Sequence, residues 1–513
     1  MYKKYPIFLA LLCLTNGHMH AAEIAVVSDP NERLSACISG HSDATSARQR
    51  SLQSLYNSVE FRSLWGEESR RKALEDSVSQ LTNDGLNIAN YRPKASSSTD
   101  FCHDVALTQG YLQALYDLRF GAVDRQSIQP LWREQPVNLE ARWYFITEHA
   151  KRHIHAPDAA FEAVRPRSAQ YHGLRKLYAE RLRSQQHDLP KVPSGTLLKP
   201  GTYDERVRLI AKRLEAQGYG PFNATDMYDS ALVEAVKAFQ ARYNLQADGV
   251  IGPRSLEVLN QSSADQLRQI RVNLERWRWL EHEQEPEQLL VDIAGGLLSY
   301  EKDGHVIWHG RTQVGRLKRK TPEIKAHLTR VTLNPTWTIP PTIMREDKLP
   351  KIRQDHSYLA RNNMRVLDRN GNVVSPSSVN WSNPGAYMVR QQPGRGNPLG
   401  KMVLRFNNPY SIYLHDTPSQ HLFNRSPRDF SSGCVRVEGI AVLLEKLMNT
   451  DEFARAQKAL ATGRTHNLAI EAHTPILLAY WTAQINANGH LELRPDIYQL
   501  DDKLAQALDH VKK

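Results

Sequence analysis

Two residues in the second half of the chain have the types and spacing for nucleophilic chemistry. Cys434 sits in Ser431-Ser432-Gly433-Cys434-Val435-Arg436, and eighteen residues separate it from His415 in Tyr413-Leu414-His415-Asp416-Thr417. A thiol with an ordinary pKa of about 8.5 is only slightly ionised at neutral pH, so a cysteine nucleophile needs an imidazole or a helix N-terminus beside it. The sequence offers both. Alternation over Ser411 to His415 predicts a strand ending at the histidine, with Ile412 and Leu414 on one face and His415 on the other, away from the apolar side. After the cysteine, Ile440, Leu443, Leu444 and Leu447 recur at helical spacing, which predicts a helix whose N-terminal dipole favours an anion at Cys434. Gly433 permits a tight bend, and the amides around it are candidates for an oxyanion site.

The stretch from His415 to Arg436 resembles the signature of the L,D-transpeptidase (YkuD-like) catalytic domain, in which a histidine precedes a Ser/Thr-His-Gly-Cys-x-Arg/Asn box by a similar distance. The likeness extends upstream through Val314-Gly315, Thr321-Pro322, Asn334 to Pro340 and Pro393 to Gly400, and covers roughly 285–497. It implies that Cys434 is the nucleophile, His415 the general base and Arg436 a support for the site, with Gly433 and Cys434 supplying oxyanion amides. It also implies substrate contacts at Tyr413, Trp337, Ser432 and Asp416. Two positions depart from the family pattern: Ser432 stands where the box usually has histidine, and Asp416 where the residue after the base is usually small. A Ser-Gly-Cys box resembles that of the large periplasmic L,D-transpeptidases of Gram-negative bacteria. The group that orients His415 has two candidates: the Asp416 carboxylate, if the chain turns at Pro418, or a backbone carbonyl.

At 513 residues and 41% hydrophobic content the chain is long enough for two to four domains. Its first 22 residues read as an export signal, with Lys3 and Lys4, an apolar run from Pro6 to Leu14, and Ala21-Ala22 before Glu23. His20 or Met19 at the position three before that point is not small, so an uncleaved anchor is the alternative. Cys13 belongs to that segment, which leaves Cys37 and Cys102 as either a disulfide in an oxidising periplasm or two buried thiols. A net charge of +11 is compatible with nucleic acid, but export and the scattering of the basic residues exclude it, and carboxylate-bearing wall peptides fit better. The densest run, Arg316-Leu317-Lys318-Arg319-Lys320, reads as a solvated loop near the expected groove.

The fold class expected is multidomain α+β. Residues 23–200 read as a helical scaffold carrying no chemistry, ending in the Pro/Gly-rich stretch Leu189 to Gly201. Residues 203–262 carry three helical stripes: Val207, Ile210 and Leu214; then Leu232, Val236, Phe239 and Tyr243; then Leu256 and Leu259, after Pro253 at a first helical position. This unit resembles the small three-helix peptidoglycan-binding domain through Phe239-Gln240 and Asp248 to Ser255, and the apolar residues are read as core rather than ligand site. Residues 263–284 form a connecting helix, with Trp277 and Trp279. A mostly-β, mostly antiparallel catalytic domain follows over 285–497, with an inserted lid at about 342–400, a final hairpin from Ile476 to Leu493, and a C-terminal helix over 498–513.

Neither a phosphate-binding loop, a dinucleotide fingerprint nor metal-ligand spacing occurs, so neither cofactor nor metal is expected. The resemblance implies an exported cysteine acyltransferase cross-linking the tetrapeptide stems of peptidoglycan, diaminopimelate to diaminopimelate, with release of D-alanine and acylation of the same thiol by carbapenems. Other cell-wall enzymes are candidate partners, and the membrane is one only if the N-terminal anchor is retained. Competing readings are a carboxypeptidase or wall amidase of the same fold, a non-catalytic wall-binding protein, and a sortase-like enzyme.

Overall fold

The computed structural model describes residues 29–38, 44–93, 100–133, 136–184, 189–223, 225–385, 387–486 and 488–510. The expected signal or anchor at 1–22 lies outside them. Among the described residues no helix is long and apolar enough to cross a membrane.

The first region is helical, with Ala44–Ser58, Glu68–Gln80, Asp100–Phe120 and Leu139–Arg152 packed around one core that includes Leu55, Tyr111, Leu115 and Ile146. Cys37 and Cys102 form a disulfide, with Cα atoms 5.0 Å apart, tying the short helix Pro30–Cys37 to Asp100–Phe120. Three helices follow: Arg206–Glu215, Ser230–Arg242 and Pro253–Leu259. Asp229 caps the second through the Leu232 amide at 2.9 Å, and Pro253 begins the third. Phe239 is buried, while Gln240 clips the Asp248 to Ser255 turn by accepting from the Gly249 amide (2.9 Å) and donating to the Val250 carbonyl (2.9 Å). That pair of residues therefore builds the unit's core and turn.

The helix Ser263–Leu280 starts with a reciprocal cap between Ser262 and Asp265 and is buried along its last three turns. Trp277 stacks on Trp481 with ring centroids 4.9 Å apart. Its charged residues are paired inside the molecule: Arg278 with Glu275 (2.6 Å) and Arg276 with Asp501 (2.6 Å). The Glu275 carboxylate also accepts the Val123 amide from the helical region (2.8 Å), so this helix joins both halves of the chain.

Among the described residues sixteen strands are formed: β1 Leu131–Arg133, β2 Glu287–Asp292, β3 Leu297–Lys302, β4 His305–Gln313, β5 Glu323–Leu333, β6 Trp337–Thr338, β7 Met364–Leu367, β8 Val373–Val374, β9 Met388–Gln391, β10 Met402–Phe406, β11 Leu414–His415, β12 Val435–Val437, β13 His466–Ala469, β14 Pro475–Ala479, β15 Ala483–Ile485 and β16 Leu491–Leu493. From β5 the pairings run through β10, β11, β12, β4, β3 and β2 to β14, and β14 pairs back with β5, closing the path into a barrel-like ring. β1 and β13 add to β5 outside this ring. Alternating side chains such as Leu289, Val291, Val331, Leu404, Leu414, Val435 and Val437 fill the core, and the helix Ile440–Leu447 packs on it.

Between β5 and β10 the chain builds a separate sheet in the order β6-β9-β7-β8. Its own core of Ile352, Leu359, Val366, Trp381 and Val389 explains why so Pro- and Asn-rich an insertion folds. Trp337 already belongs to this sheet, through pairing with Gln391.

Two local expectations are corrected. Ile476 to Ile485 is not one arm of a hairpin: β14 runs between β2 and β5, while the hairpin is β15 with β16. The Cys434 segment also does not lead straight into a helix, because Val435-Arg436-Val437, β-branched at alternate positions, joins the sheet as β12 and the helix begins at Ile440 after the left-handed Gly439.

Candidate active site

β11 and β12 lie side by side and parallel, with Leu414 opposite Val435 and His415 opposite Arg436. Strand pairing between two segments far apart in sequence thus brings Tyr413, His415, Cys434 and Arg436 to the wall of one cavity of about 1440 Å³. Trp337, Ser432, Arg319 and Arg405 line it too. β11 is shorter than the predicted strand, since Ser411 takes a left-handed conformation (φ 56°) and turns its carbonyl toward the thiol. Cys434 Sγ donates to that carbonyl at 3.6 Å.

His415 is 4% exposed, not on a solvated strand face. Its Nδ1 lies 2.5 Å from the Asp416 backbone carbonyl. A carbonyl only accepts, so Nδ1 carries the proton and Nε2 keeps its lone pair. The orienting group is therefore the backbone of Asp416. Its side chain accepts the Lys401 amide (2.8 Å) and Gln420 Nε2 (3.3 Å) instead, in a place where a Cβ on Gly400 would come within 2.3 Å of the carboxylate.

The electrostatics keep the resting pair uncharged. Burial pushes the Cys434 thiol up to about 11, with the Tyr413 amide and hydroxyl, Arg436 and Arg405 pulling the other way. Burial, and then Arg436, hold the His415 imidazole down at about 3, against the bond to the Asp416 carbonyl. The Tyr413 phenol is held well above its ordinary value by burial and by the sulfur, so it stays a donor, and the Arg405 guanidinium lies 5.1 Å from its ring. Arg436 donates from Nη1 to Gln313 Oε1 at 2.9 Å.

The loop before the thiol is held by hydroxyls. Ser431 Oγ accepts the Gly433 amide (3.0 Å) and donates to the Cys434 carbonyl (2.5 Å), so the amide expected to bind an oxyanion is already engaged here. Gly433 itself has φ 118°, a conformation that glycine adopts without strain. Ser432 is exposed and accepts from Arg319 Nη1 at 2.9 Å, and Trp337, 7% exposed, has Lys348 Nζ 5.5 Å from its ring centroid.

Residues 286–454 match the family described as "L,D-transpeptidase catalytic domain". That matched segment takes in His415, Cys434 and Arg436. Residues 50–177 match a "Scaffold domain" and 203–259 a "Putative peptidoglycan binding domain". A Haemophilus influenzae protein named "Putative L,D-transpeptidase" is 40% identical over 235 residues, 44% of this chain and 47% of that protein. The N-acetylmuramoyl-L-alanine amidase CwlL of Bacillus licheniformis is 35% identical over 68 residues, 13% of this chain and 19% of its own. The chain thus spans less than half the length of either relative. A solved L,D-transpeptidase from Stackebrandtia nassauensis is 13% identical, covering 56% of this chain and 96% of its own at a TM-score of 0.21. One from Xylanimonas cellulosilytica is 16% identical, covering 57% and 100% at a TM-score of 0.16.

Within the matched segment, several residues at the site carry no signal that periodicity reveals. Arg319 came out of the sequence as part of a solvated run, yet its side chain is 10% exposed and reaches Asp347 Oδ2 (2.8 Å) in the inserted segment as well as Ser432. Ser411 contributes a carbonyl, which no residue type announces. Thr321 belongs to the Thr321-Pro322 match, but the groups it holds become visible only in three dimensions.

Proposed function

We propose that the chain is an exported L,D-transpeptidase that joins peptidoglycan stems through a Cys434 thioester. The single observation supporting this most is that His415, at the end of β11, and Cys434, directly before the parallel neighbour β12, line one cavity with His415 Nε2 left as the acceptor. Burial raises the thiol and lowers the imidazole, and both shifts disfavour an ion pair at rest. The proton moves as the sulfur attacks.

In this reading Cys434 Sγ attacks the carbonyl of the penultimate residue of a tetrapeptide stem, and His415 Nε2 takes the thiol proton. The C–N bond to D-alanine breaks, the leaving amine recovers the proton from His415, and a thioester remains. The amine of a second stem attacks the thioester, loses a proton to His415, and the thiolate departs and is reprotonated. The Cys434 amide and the Tyr413 hydroxyl would stabilise charge in these steps. Arg436, Trp337 and Ser432 would contact or support substrate, Asp416 would act through the Gly400 turn, and the 203–259 unit would hold the enzyme on the wall.

The test is incubation with disaccharide-tetrapeptide, read by mass spectrometry. Dimers lacking one D-alanine, absent with Cys434→Ala, are the expected products. Trimmed monomers alone would make the enzyme a carboxypeptidase, and no adduct on Cys434 with either the stem or a carbapenem would overturn the reading.

A further inference from the structure

We propose that Tyr498, which lies beyond the matched catalytic segment, is a positioning residue for the nucleophile, acting through Thr321 and Gly315; this rests on Cys434 being that nucleophile. Tyr498 OH donates to the Gly315 carbonyl (2.7 Å) and accepts the Thr321 amide (2.9 Å). Thr321 Oγ1 in turn accepts the Gly315 amide (2.9 Å) and donates to the Gly433 carbonyl (2.7 Å). Both backbone groups of Gly315, and both of Gly433 once Ser431 is counted, are thus fixed by side-chain hydroxyls. Segment 314–316 passes this restraint to the loop ahead of the cysteine, because Ser431 N donates to the Val314 carbonyl (2.8 Å) and Arg316 N to the Ser431 carbonyl (3.1 Å).

The arrangement is rigid and dry. Tyr498 is 2% and Thr321 3% exposed, and a Cβ on Gly315 would stand 2.1 Å from the Arg319 carbonyl. Tyr498 stacks on Tyr480 at 5.3 Å, its amide donates to Tyr480 OH (3.1 Å), and Tyr480 OH donates to Asp496 (2.6 Å). Lys320 Nζ donates to the Tyr498 carbonyl at 2.7 Å. Burial raises the Tyr498 phenol to about 12, so it keeps its proton across the working range. Two hydrogen bonds, from the Thr321 amide to Tyr498 OH and from Thr321 Oγ1 to the Gly433 carbonyl, therefore link the C-terminal segment to the peptide unit that precedes Cys434, with Gly315 bridging the same two side chains. A sulfur whose line of approach is set this way depends on hydroxyls that never touch substrate.

Tyr498→Phe, Thr321→Val and Thr321→Ser in the full chain test this. Tyr498→Phe and Thr321→Val should lower kcat about tenfold with KM within twofold, while Thr321→Ser keeps wild-type kcat because the hydroxyl remains. The loosened loop admits water to the thiol, so the midpoint of the iodoacetamide alkylation profile of Cys434 should move below about 11 in the two impaired variants and not in Thr321→Ser. A kcat within twofold of wild type in Tyr498→Phe, or Thr321→Ser as impaired as Thr321→Val, would overturn the proposal. If wild-type protein fails to turn over the stem, the transferase reading falls, and the alkylation profiles alone decide: a shift supports the positioning role and coincident profiles reject it.

Discussion

Arg319 donates to Ser432 Oγ at 2.9 Å with the same nitrogen that pairs with Asp347 at 2.8 Å, so one guanidinium joins the neighbour of the nucleophile loop to the inserted segment. Asp347 and Glu346, its other partner, lie in the short helical turn at the start of that segment. Ser432 stands where the family box usually has histidine, and here Arg319 ties it to Asp347, all three lining the cavity. On the proposed mechanism, Arg319→Gln should loosen this strap and admit water to the thioester. The ratio of trimmed monomer to cross-linked dimer, measured by mass spectrometry, should rise several-fold while acylation by the first stem stays within about threefold. An unchanged ratio would leave Arg319 with no part in excluding water.

The resting thiol should behave as an un-ionised one. With Cys434 held at about 11, its thiolate fraction grows about tenfold per pH unit between pH 7 and 9, and the second-order rate of alkylation by iodoacetamide should follow with unit slope. A plateau reached by about pH 8 would mean that an ion pair with His415 already exists at rest.

Acid should destabilise the fold through the same histidine. Its ordinary value is about 6.5 and its folded value about 3, so between those limits the unfolded chain binds the extra proton and stability falls as pH drops. Each such group steepens the loss by about 1.4 kcal/mol per pH unit. His282, held at about 3 chiefly by burial, adds its own share. His415→Gln should therefore flatten, not abolish, the decline measured by denaturant unfolding between about pH 6 and 4. Parallel curves for wild type and variant would contradict the burial argument.

Arg125 and Glu323 form a buried pair at 2.9 Å between the helical region and β5, with Gln129 (2.8 Å) and the Tyr480 amide (2.8 Å) completing the carboxylate's partners. Glu323→Gln strands a buried guanidinium and should cost about 3 kcal/mol, whereas Arg125→Met with Glu323→Leu should cost less than the single change. Denaturant midpoints of the two variants check this, and a single loss under about 1 kcal/mol would argue that water reaches the pair.

Periodicity made many elements legible: the three small helices, the long connecting helix and strands β2 to β5 follow from the spacing of residues such as Val207, Phe239, Leu289 and Val331, whereas β7, β9, β10 and β13 do not. The pairing of Cys434 with His415 was readable because their spacing matches a known signature. What stayed hidden depends on main-chain direction. The sequence left two candidates to orient His415, of which the Asp416 carbonyl is the one in place, while the Ser411 carbonyl at the thiol and Ser431 on the Gly433 amide are contacts that a side-chain alphabet does not encode. Tyr498 was invisible for another reason: it lies 64 residues after Cys434, and only the closing of the sheet brings them near.

β1 is three residues lent by the helical region, running parallel to the first residues of β5 with Leu131 opposite Glu323. A trimmed enzyme cut to 286–454 would lose that strand together with β13, β14 and the segment bearing Tyr498. Bare amides and carbonyls along β5 would then seek partners in other molecules, so a piece that keeps this edge covered must begin well upstream of the catalytic match and run past β14.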